Sequence, residues 1–380
     1  MRRISLTLLT LLMLLVLALP LTYAQDGNTP QGAASAVLDF PRDHRLHDDD
    51  PRMNAHYIEW LYFTGLLRDE EGRLWGYQVT LWQMRLSVLD GQELFVYDVA
   101  LSDVSQSRHM AHRAMPSFPP TEPLGTVTQE GALWRYEAPT LSITHDEQAD
   151  VWKIVAQGVS LPAKEDAPPP DFTLQLTLRN DKLIYYTQIP GGLGPIGGCE
   201  HDLETLDGYT YYYSHPALST EATLSRDGQT LTLQGETWFD HQWGNFSHCQ
   251  LAWDWFSFRL DDGGYVMIFH TVDAQGQPIP DLIGMTYIDP QSGDMRYWYG
   301  DHALSAQPLR YWEDPRSGIA YPLAWELQTP LGAFGVLPLF DNQAMPASHQ
   351  PYWEGVISVR EGGLAGSEIG LGYLEVTRPR

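Results

Sequence analysis

Apolar and polar residues alternate along this chain in segments of strand length. Trp75 to Trp82, Leu94 to Leu101, Phe172 to Leu178, Ala222 to Leu224 and Thr230 to Leu233 all follow the pattern. Residues two apart in an extended backbone share a face, so these segments predict strands. Turn signals separate them: Asp69-Glu70-Glu71-Gly72, Asp227-Gly228 and Asp262-Gly263-Gly264. Asp-Gly between alternating runs predicts a hairpin, and strands at this spacing predict a sandwich or barrel. Two segments read as loops. Ala163 to Pro170 is charged and then Pro-rich, and Pro190 to Gly198 reads PGGLGPIGG. The second does not suit a regular strand interior and is expected to be a linker or a lid.

The chain carries an internal repeat. Residues 60 to 77 read WLYFTGLLRDEEGRLWGY and residues 253 to 265 read WDWFSFRLDDGGY. Trp60 aligns with Trp253, Tyr62 with Trp255, Phe63 with Phe256, Leu67 with Leu260 and Asp69 with Asp262. After a shorter turn, Gly76-Tyr77 aligns with Gly264-Tyr265. Each copy predicts a strand, a turn and a returning strand, and the duplication predicts two domains of one fold. The expected limits are 38–220 for the first and 221–378 for the second. Parity puts Trp60, Tyr62 and Thr64 on one face and Leu61 and Phe63 on the other. Trp253, Trp255 and Ser257 form the matching row, with Phe256 and Phe258 behind it. A strand that is apolar on both faces packs on both, so one face of each hairpin is expected to meet a barrel lumen and the other a neighbouring element, which in a two-domain protein can be the other barrel.

Composition agrees with an all-β protein. Thirteen Trp and twenty Tyr favour strands, and 33 Gly with 27 Pro supply turns. The net charge of −25 would repel a phosphate backbone, which argues against nucleic acid as a partner. At the N-terminus, Arg2-Arg3, the apolar run Ile4 to Pro20 and the small residue Ala24 have the layout of a cleaved signal peptide, 1–24. A secreted or periplasmic protein is expected. The two cysteines, Cys199 and Cys249, are compatible with a disulfide in an oxidising compartment or with two free thiols.

Several motifs together resemble a known family. Phe40-Pro41-Arg42-Asp43-His44 with His47, then Glu59-Trp60-Leu61-Tyr62-Phe63-Thr64-Gly65, look like the opening of AttH-like proteins. Tyr211-Tyr212-Tyr213-Ser214, Trp238-Phe239-Asp240-His241-Gln242-Trp243-Gly244 and Trp253-Asp254-Trp255-Phe256-Ser257 resemble its central motifs. Tyr352-Trp353-Glu354-Gly355 and Gly372-Tyr373-Leu374-Glu375 resemble its closing strands. The family includes carotenoid 1,2-hydratases and AttH-type secreted proteins. The resemblance implies two consecutive lipocalin-like antiparallel β-barrel domains and a hydrophobic ligand, isoprenoid or lipid-like. Two departures stand out: Leu61 occupies a position where the family usually has Trp, and Met267 stands where its hydratase branch has an Asp after Tyr265.

The implied chemistry is a hydro-lyase reaction, water added to an alkene by acid catalysis. It needs a protonated acid in a dry pocket, π-faces to stabilise a carbocation, and a base for the incoming water. Neither a cofactor nor a metal is expected. The candidate catalytic residues are Asp240, His241, Trp243 and Tyr265. The candidate substrate-binding residues are Glu59, Trp60, Tyr62, Tyr213, Trp253 and Trp255. In an extended strand His241 and Trp243 share a face and Asp240 points away, unless a bulge re-aims it. Glu59 reads as a rim salt bridge or a buried acid. His44 and His47 are expected in a solvated loop, and Asp48-Asp49-Asp50 lacks the pattern of a calcium loop. No Gly-x-Ser-x-Gly or His-Glu-x-x-His occurs, which argues against hydrolase machinery. The alternative to an enzyme is a non-catalytic carrier of hydrophobic ligands, or an accessory to a membrane transporter or membrane surface. The ligand is expected between the two domains.

Overall fold

The computed structural model of the chain describes residues 38–47, 57–85, 93–116, 123–161, 169–182, 186–187, 193–196, 208–245, 252–273, 275–300, 304–346 and 351–378. The expected signal peptide, Asp48-Asp49-Asp50, Cys199, Cys249 and most of the Pro-rich segment lie outside these residues.

The described residues form two curled antiparallel sheets, as the alternation predicts. The first contains β1 (Tyr57–Asp69), β2 (Leu74–Arg85), β3 (Glu93–Asp103), β4 (Arg108–Ala114), β5 (Thr126–Glu130), β6 (Leu133–Glu137), β7 (Leu141–Asp146), β8 (Val151–Gln157), β9 (Thr173–Arg179), β10 (Tyr186–Thr187), β11 (Leu193–Ile196), β12 (Gly208–Arg226) and β13 (Gln229–Gly244). Its order is β4-β3-β2-β1-β13-β12-β9-β8-β7-β6-β5, with β10 and β11 also paired to β12. The second contains β14 (Ala252–Leu260), β15 (Tyr265–Val272), β16 (Pro278–Ile288), β17 (Met295–Tyr299), β18 (Ser305–Glu313), β19 (Ala320–Thr329), β20 (Gly332–Pro338), β21 (Tyr352–Glu361) and β22 (Glu368–Thr377). Its order is β17-β16-β15-β14-β22-β21-β20-β19-β18.

The repeated hairpins hold equivalent places. In each sheet the first strand, β1 or β14, pairs with its hairpin partner on one side and with the last strand, β13 or β22, on the other. Because the first strand closes on the last, the first sheet extends to Gly244. The expected boundary at 220/221 therefore falls inside β12, and the division between sheets lies between Gly244 and Ala252. The β12–β13 hairpin turns at Asp227-Gly228, both at positive φ (52° and 75°), the conformation that a tight two-residue hairpin needs. The segment expected to be a linker or lid also differs: Leu193–Ile196 is a short strand paired with Tyr211 to Gly208 on β12. A four-residue strand paired to one neighbour tolerates Pro195, as a central strand would not.

Each sheet encloses its own core. Phe63, Trp134, Trp152 and Trp243 lie in the first, and Phe256, Trp325, Trp353 and Leu374 in the second. A third apolar layer lies between the sheets, where Tyr62, Trp238, Trp255, Tyr265, Met267 and Tyr373 pack together. Both faces of the repeated hairpins are thus covered, one by its own core and one by the other sheet. Gly76 allows a close approach between the sheets. A Cβ there would lie 2.3 Å from Val356 Cγ2 and 2.5 Å from the Tyr373 hydroxyl.

Candidate functional site

The register of β1 on β13 runs without a bulge from Ile58 opposite Gly244 to Asp69 opposite Leu233. Strand parity is therefore preserved, and the residues nominated from sequence divide between two places. Glu59, Tyr213, His241 and Trp243 turn into the first core, whereas Tyr62, Asp240, Trp255 and Tyr265 turn towards the other sheet. Trp60 and Trp253, partly buried, pack on the same inter-sheet layer. Asp240 stays away from His241 because no bulge re-aims it.

The inner group is a charged network in a dry core. The Glu59 carboxylate oxygen Oε1 lies 2.6 Å from His47 Nδ1 and 2.6 Å from His241 Nε2. Its Oε2 accepts the His47 backbone N–H at 2.8 Å and the Tyr57 hydroxyl. Asp43 Oδ1 lies 3.1 Å from His47 Nε2, and the Asp43 carbonyl lies 2.9 Å from His241 Nδ1. His47 stacks on Trp243, ring centroids 4.1 Å apart. Burial would raise the Glu59 carboxyl, but the two histidines outweigh it and hold it at about 2. Burial would lower His47, yet the Glu59 charge and the bonds to Asp43 and Glu59 raise it. His241 is lowered by burial, with Glu59 opposing. Such a group offers a carboxylate beside two imidazoles, one of them favoured as imidazolium, and not a protonated carboxyl.

His44 and His47 are buried, contrary to the solvated loop expected of them. The short turn Arg42–His44 carries them inward, and Leu38 and Leu46 on either side join the first core. The His44 ring meets the Tyr213 hydroxyl at 2.9 Å. Glu59 is the buried acid of its two readings, not a rim salt bridge.

The inter-sheet group is a set of buried acids under aromatic rings. Asp240 Oδ2 accepts the Tyr212 hydroxyl at 2.6 Å, and Oδ1 accepts Trp238 Nε1 at 2.6 Å and the Ser214 hydroxyl. Burial pushes Asp240 up to about 7 in spite of these three donors. Across the layer, Glu354 on β21 faces Glu375 on β22 in register. Tyr62 donates to Glu354 Oε1 at 2.8 Å, and Trp253 Nε1 donates to Glu375 Oε1. Burial first, and then the neighbouring carboxylate, drive Glu354 well above the ordinary range. Glu375 is raised by burial. Two facing carboxyls in a dry layer oppose each other's ionisation, which favours the protonated form.

A cleft of about 360 Å³ opens between the sheets, walled by Trp238, Tyr265 and Tyr373 and by the charged Arg68, Glu236 and Arg259; the acids lie behind this wall and do not line it. The acids continue the same rows inward. Asp240 is the next same-face residue after Trp238 on β13, and Glu375 follows Tyr373 on β22. A same-face step along a strand is roughly 7 Å. Tyr265 belongs to this cleft and not to the His241 group. Its hydroxyl meets Lys182 Nζ at 3.0 Å. Met267, also buried on this face, leaves β15 without an acid, and the acids come from the closing strands instead.

Glu354 and Glu375 were not nominated from sequence, although both motifs that contain them stood out. The available signal was a lone Glu in an apolar strand, Tyr352-Trp353-Glu354-Gly355-Val356 and Tyr373-Leu374-Glu375-Val376, the same signal that marked Glu59.

Comparison with known proteins agrees with this architecture. An AttH-type protein of Nitrosomonas europaea superposes with a TM-score of 0.70 at 25% identity, covering 92% of this chain and 99% of its own. Kievitone hydratase from Nectria haematococca superposes with a TM-score of 0.66 at 14% identity, covering 93% and 97%, which shows a shared fold. CghA with Sch210972 gives a TM-score of 0.52 at 13% identity over 86% and 89%. No curated protein matches in sequence. The AttH-like family model matches residues 31–378, and the chain belongs to the AttH-like family.

Proposed function

We propose that this protein is a hydratase-type lyase that adds water to, or removes it from, an alkene of an apolar, isoprenoid- or lipid-like molecule held between the two sheets. The observation that carries the reading is the facing pair Glu354 and Glu375, buried in the inter-sheet layer and both held towards the protonated form. The ligand's apolar tail enters the cleft and passes Trp238 and Tyr373 to reach the acids. Glu354 gives its proton to one alkene carbon, and the π electrons form the new C–H bond. The cation left on the neighbouring carbon lies among Tyr62, Trp253 and Trp255, whose ring faces stabilise positive charge. Water then forms the C–O bond, and its surplus proton returns to the ionised carboxylate. Membership of the AttH-like family and the fold shared with kievitone hydratase support this reading. The signal-like segment 1–24 supports export, and a membrane surface or transporter is a natural source of such a ligand.

The test begins with native mass spectrometry of protein purified from its own cell extract, to identify the bound molecule. That molecule is then incubated with the protein in ¹⁸O-labelled water. Label in a new or exchanging hydroxyl group supports the reading. A bound apolar molecule that never takes up label overturns it in favour of carriage.

A further inference from the structure

We propose that His47, Glu59 and His241 form a binding site for a divalent transition metal, zinc or a close analogue, inside the core of the first sheet. The inference is independent of the hydratase reading, which uses the opposite face of β1 and β13.

Three donor atoms of the right kind converge. His47 Nδ1, His241 Nε2 and a Glu59 oxygen lie within 4.8 Å of one another, and all three residues are buried. Two imidazoles and one carboxylate suit zinc, whose ligand distances are about 2.0–2.2 Å. Tetrahedral ligands at that distance sit roughly 3.3 Å apart. The present 2.6 Å contacts from Glu59 Oε1 to each ring therefore need to open by only about 0.7 Å.

The second observation is what each ring does with its far nitrogen. His47 Nε2 faces Asp43 Oδ1 at 3.1 Å, and His241 Nδ1 faces the Asp43 carbonyl at 2.9 Å. Each far-side oxygen can accept an N–H, so both rings have a tautomer that carries its proton on the far nitrogen. In those tautomers the near nitrogens carry the lone pairs, and both aim at one Glu59 oxygen. Lone pairs converging on a carboxylate oxygen call for a cation between them. A metal-bound histidine is typically held by just such a far-side carbonyl or carboxylate. Without a metal, a ring that keeps its far-side N–H and also bonds Glu59 must be a full imidazolium, and two of them would point at the same atom of a dry core. Glu59 Oε2 is already fixed by the Tyr57 hydroxyl and the His47 backbone N–H, which leaves Oε1 for the ion.

The experiment uses the full mature chain, stripped with chelator and titrated with Zn²⁺ or Co²⁺ alone. The wild type should hold about one equivalent after dialysis, and its Co²⁺ form should show the intense visible absorption of a low-coordinate site. Glu59→Gln and His241→Ala should abolish uptake. Because these variants disturb the core, Asp43→Asn is the second probe. It leaves all three ligands in place and should weaken binding about 10- to 100-fold. Folded wild type that retains neither metal overturns the proposal. So does equal uptake by wild type, Glu59→Gln and Asp43→Asn.

Discussion

Asp240 and Glu375 occupy equivalent positions in the two repeats. Asp240 lies opposite Tyr62 where β13 closes onto β1, and Glu375 lies opposite Trp255 where β22 closes onto β14. Tyr62 and Trp255 are themselves a repeat pair. Each reaches across to the other sheet: Tyr62 donates to Glu354, and Trp255 Nε1 donates at 3.1 Å to Tyr212, which holds Asp240. Duplication of one hairpin has thus produced two acid stations that face each other across one apolar layer.

These crossed bonds should be measurable. Tyr62→Phe removes the hydroxyl donor from Glu354 in a buried layer, and an unsatisfied buried acceptor costs about 1–3 kcal/mol. Urea denaturation should show a loss of that size. A loss below about 0.5 kcal/mol, the level of an ordinary surface change, would contradict the bond.

Close packing of the sheets gives a second prediction. A methyl group at Gly76 would overlap Val356 and Tyr373, side chains of the opposite sheet. Gly76→Ala should therefore destabilise by about 1–3 kcal/mol, the usual cost of overpacking. Thermal unfolding checks it, and an unchanged Tm would mean that the sheets do not meet there.

Stability should depend on pH through the Glu354–Glu375 pair. Both carboxyls are raised in the folded state, by burial above all. The native state then binds more protons than the unfolded chain. Their contribution is complete below the ordinary glutamate value of about 4.3 and is lost as the pH rises through the raised values. Tm should fall as the pH climbs above that point. Glu375→Gln, which keeps a neutral side chain at every pH, should flatten the slope. An equally steep fall in that variant would contradict the assignment.

Catalysis separates the acids from the network behind them. Glu354→Gln should cut turnover of the identified ligand by on the order of 10² or more while leaving it bound, because general acid catalysis is worth that much. Single-turnover kinetics on the variant decide the matter, and wild-type rates would remove Glu354 from the mechanism.

Much of this arrangement was legible in the chain, and the gaps have physical reasons. The copies at Trp60 and Trp253 revealed the duplicated fold, and strand parity correctly put Asp240 on the face opposite His241 and Trp243. Parity could not say that this division would split one nominated site into two. That depends on what covers each face, and the partners come from far away: Glu59 meets His241 across 182 positions, and Tyr62 meets Glu354 across 292. His47 looked solvated because a loop before a strand normally is. Only the packing of Leu38 and Leu46 carries it inward. The boundary at 220/221 failed for a topological reason, since a sheet that closes its first strand on its last cannot end before that last strand.

The infrared spectrum of the folded protein at neutral pH tests the central claim most directly. The structure predicts a protonated-carboxyl C=O band that shifts in D₂O and is reduced in Glu354→Gln, with Asp240, raised to about 7, supplying part of what remains. A wild-type spectrum with every carboxyl group ionised at that pH would contradict it.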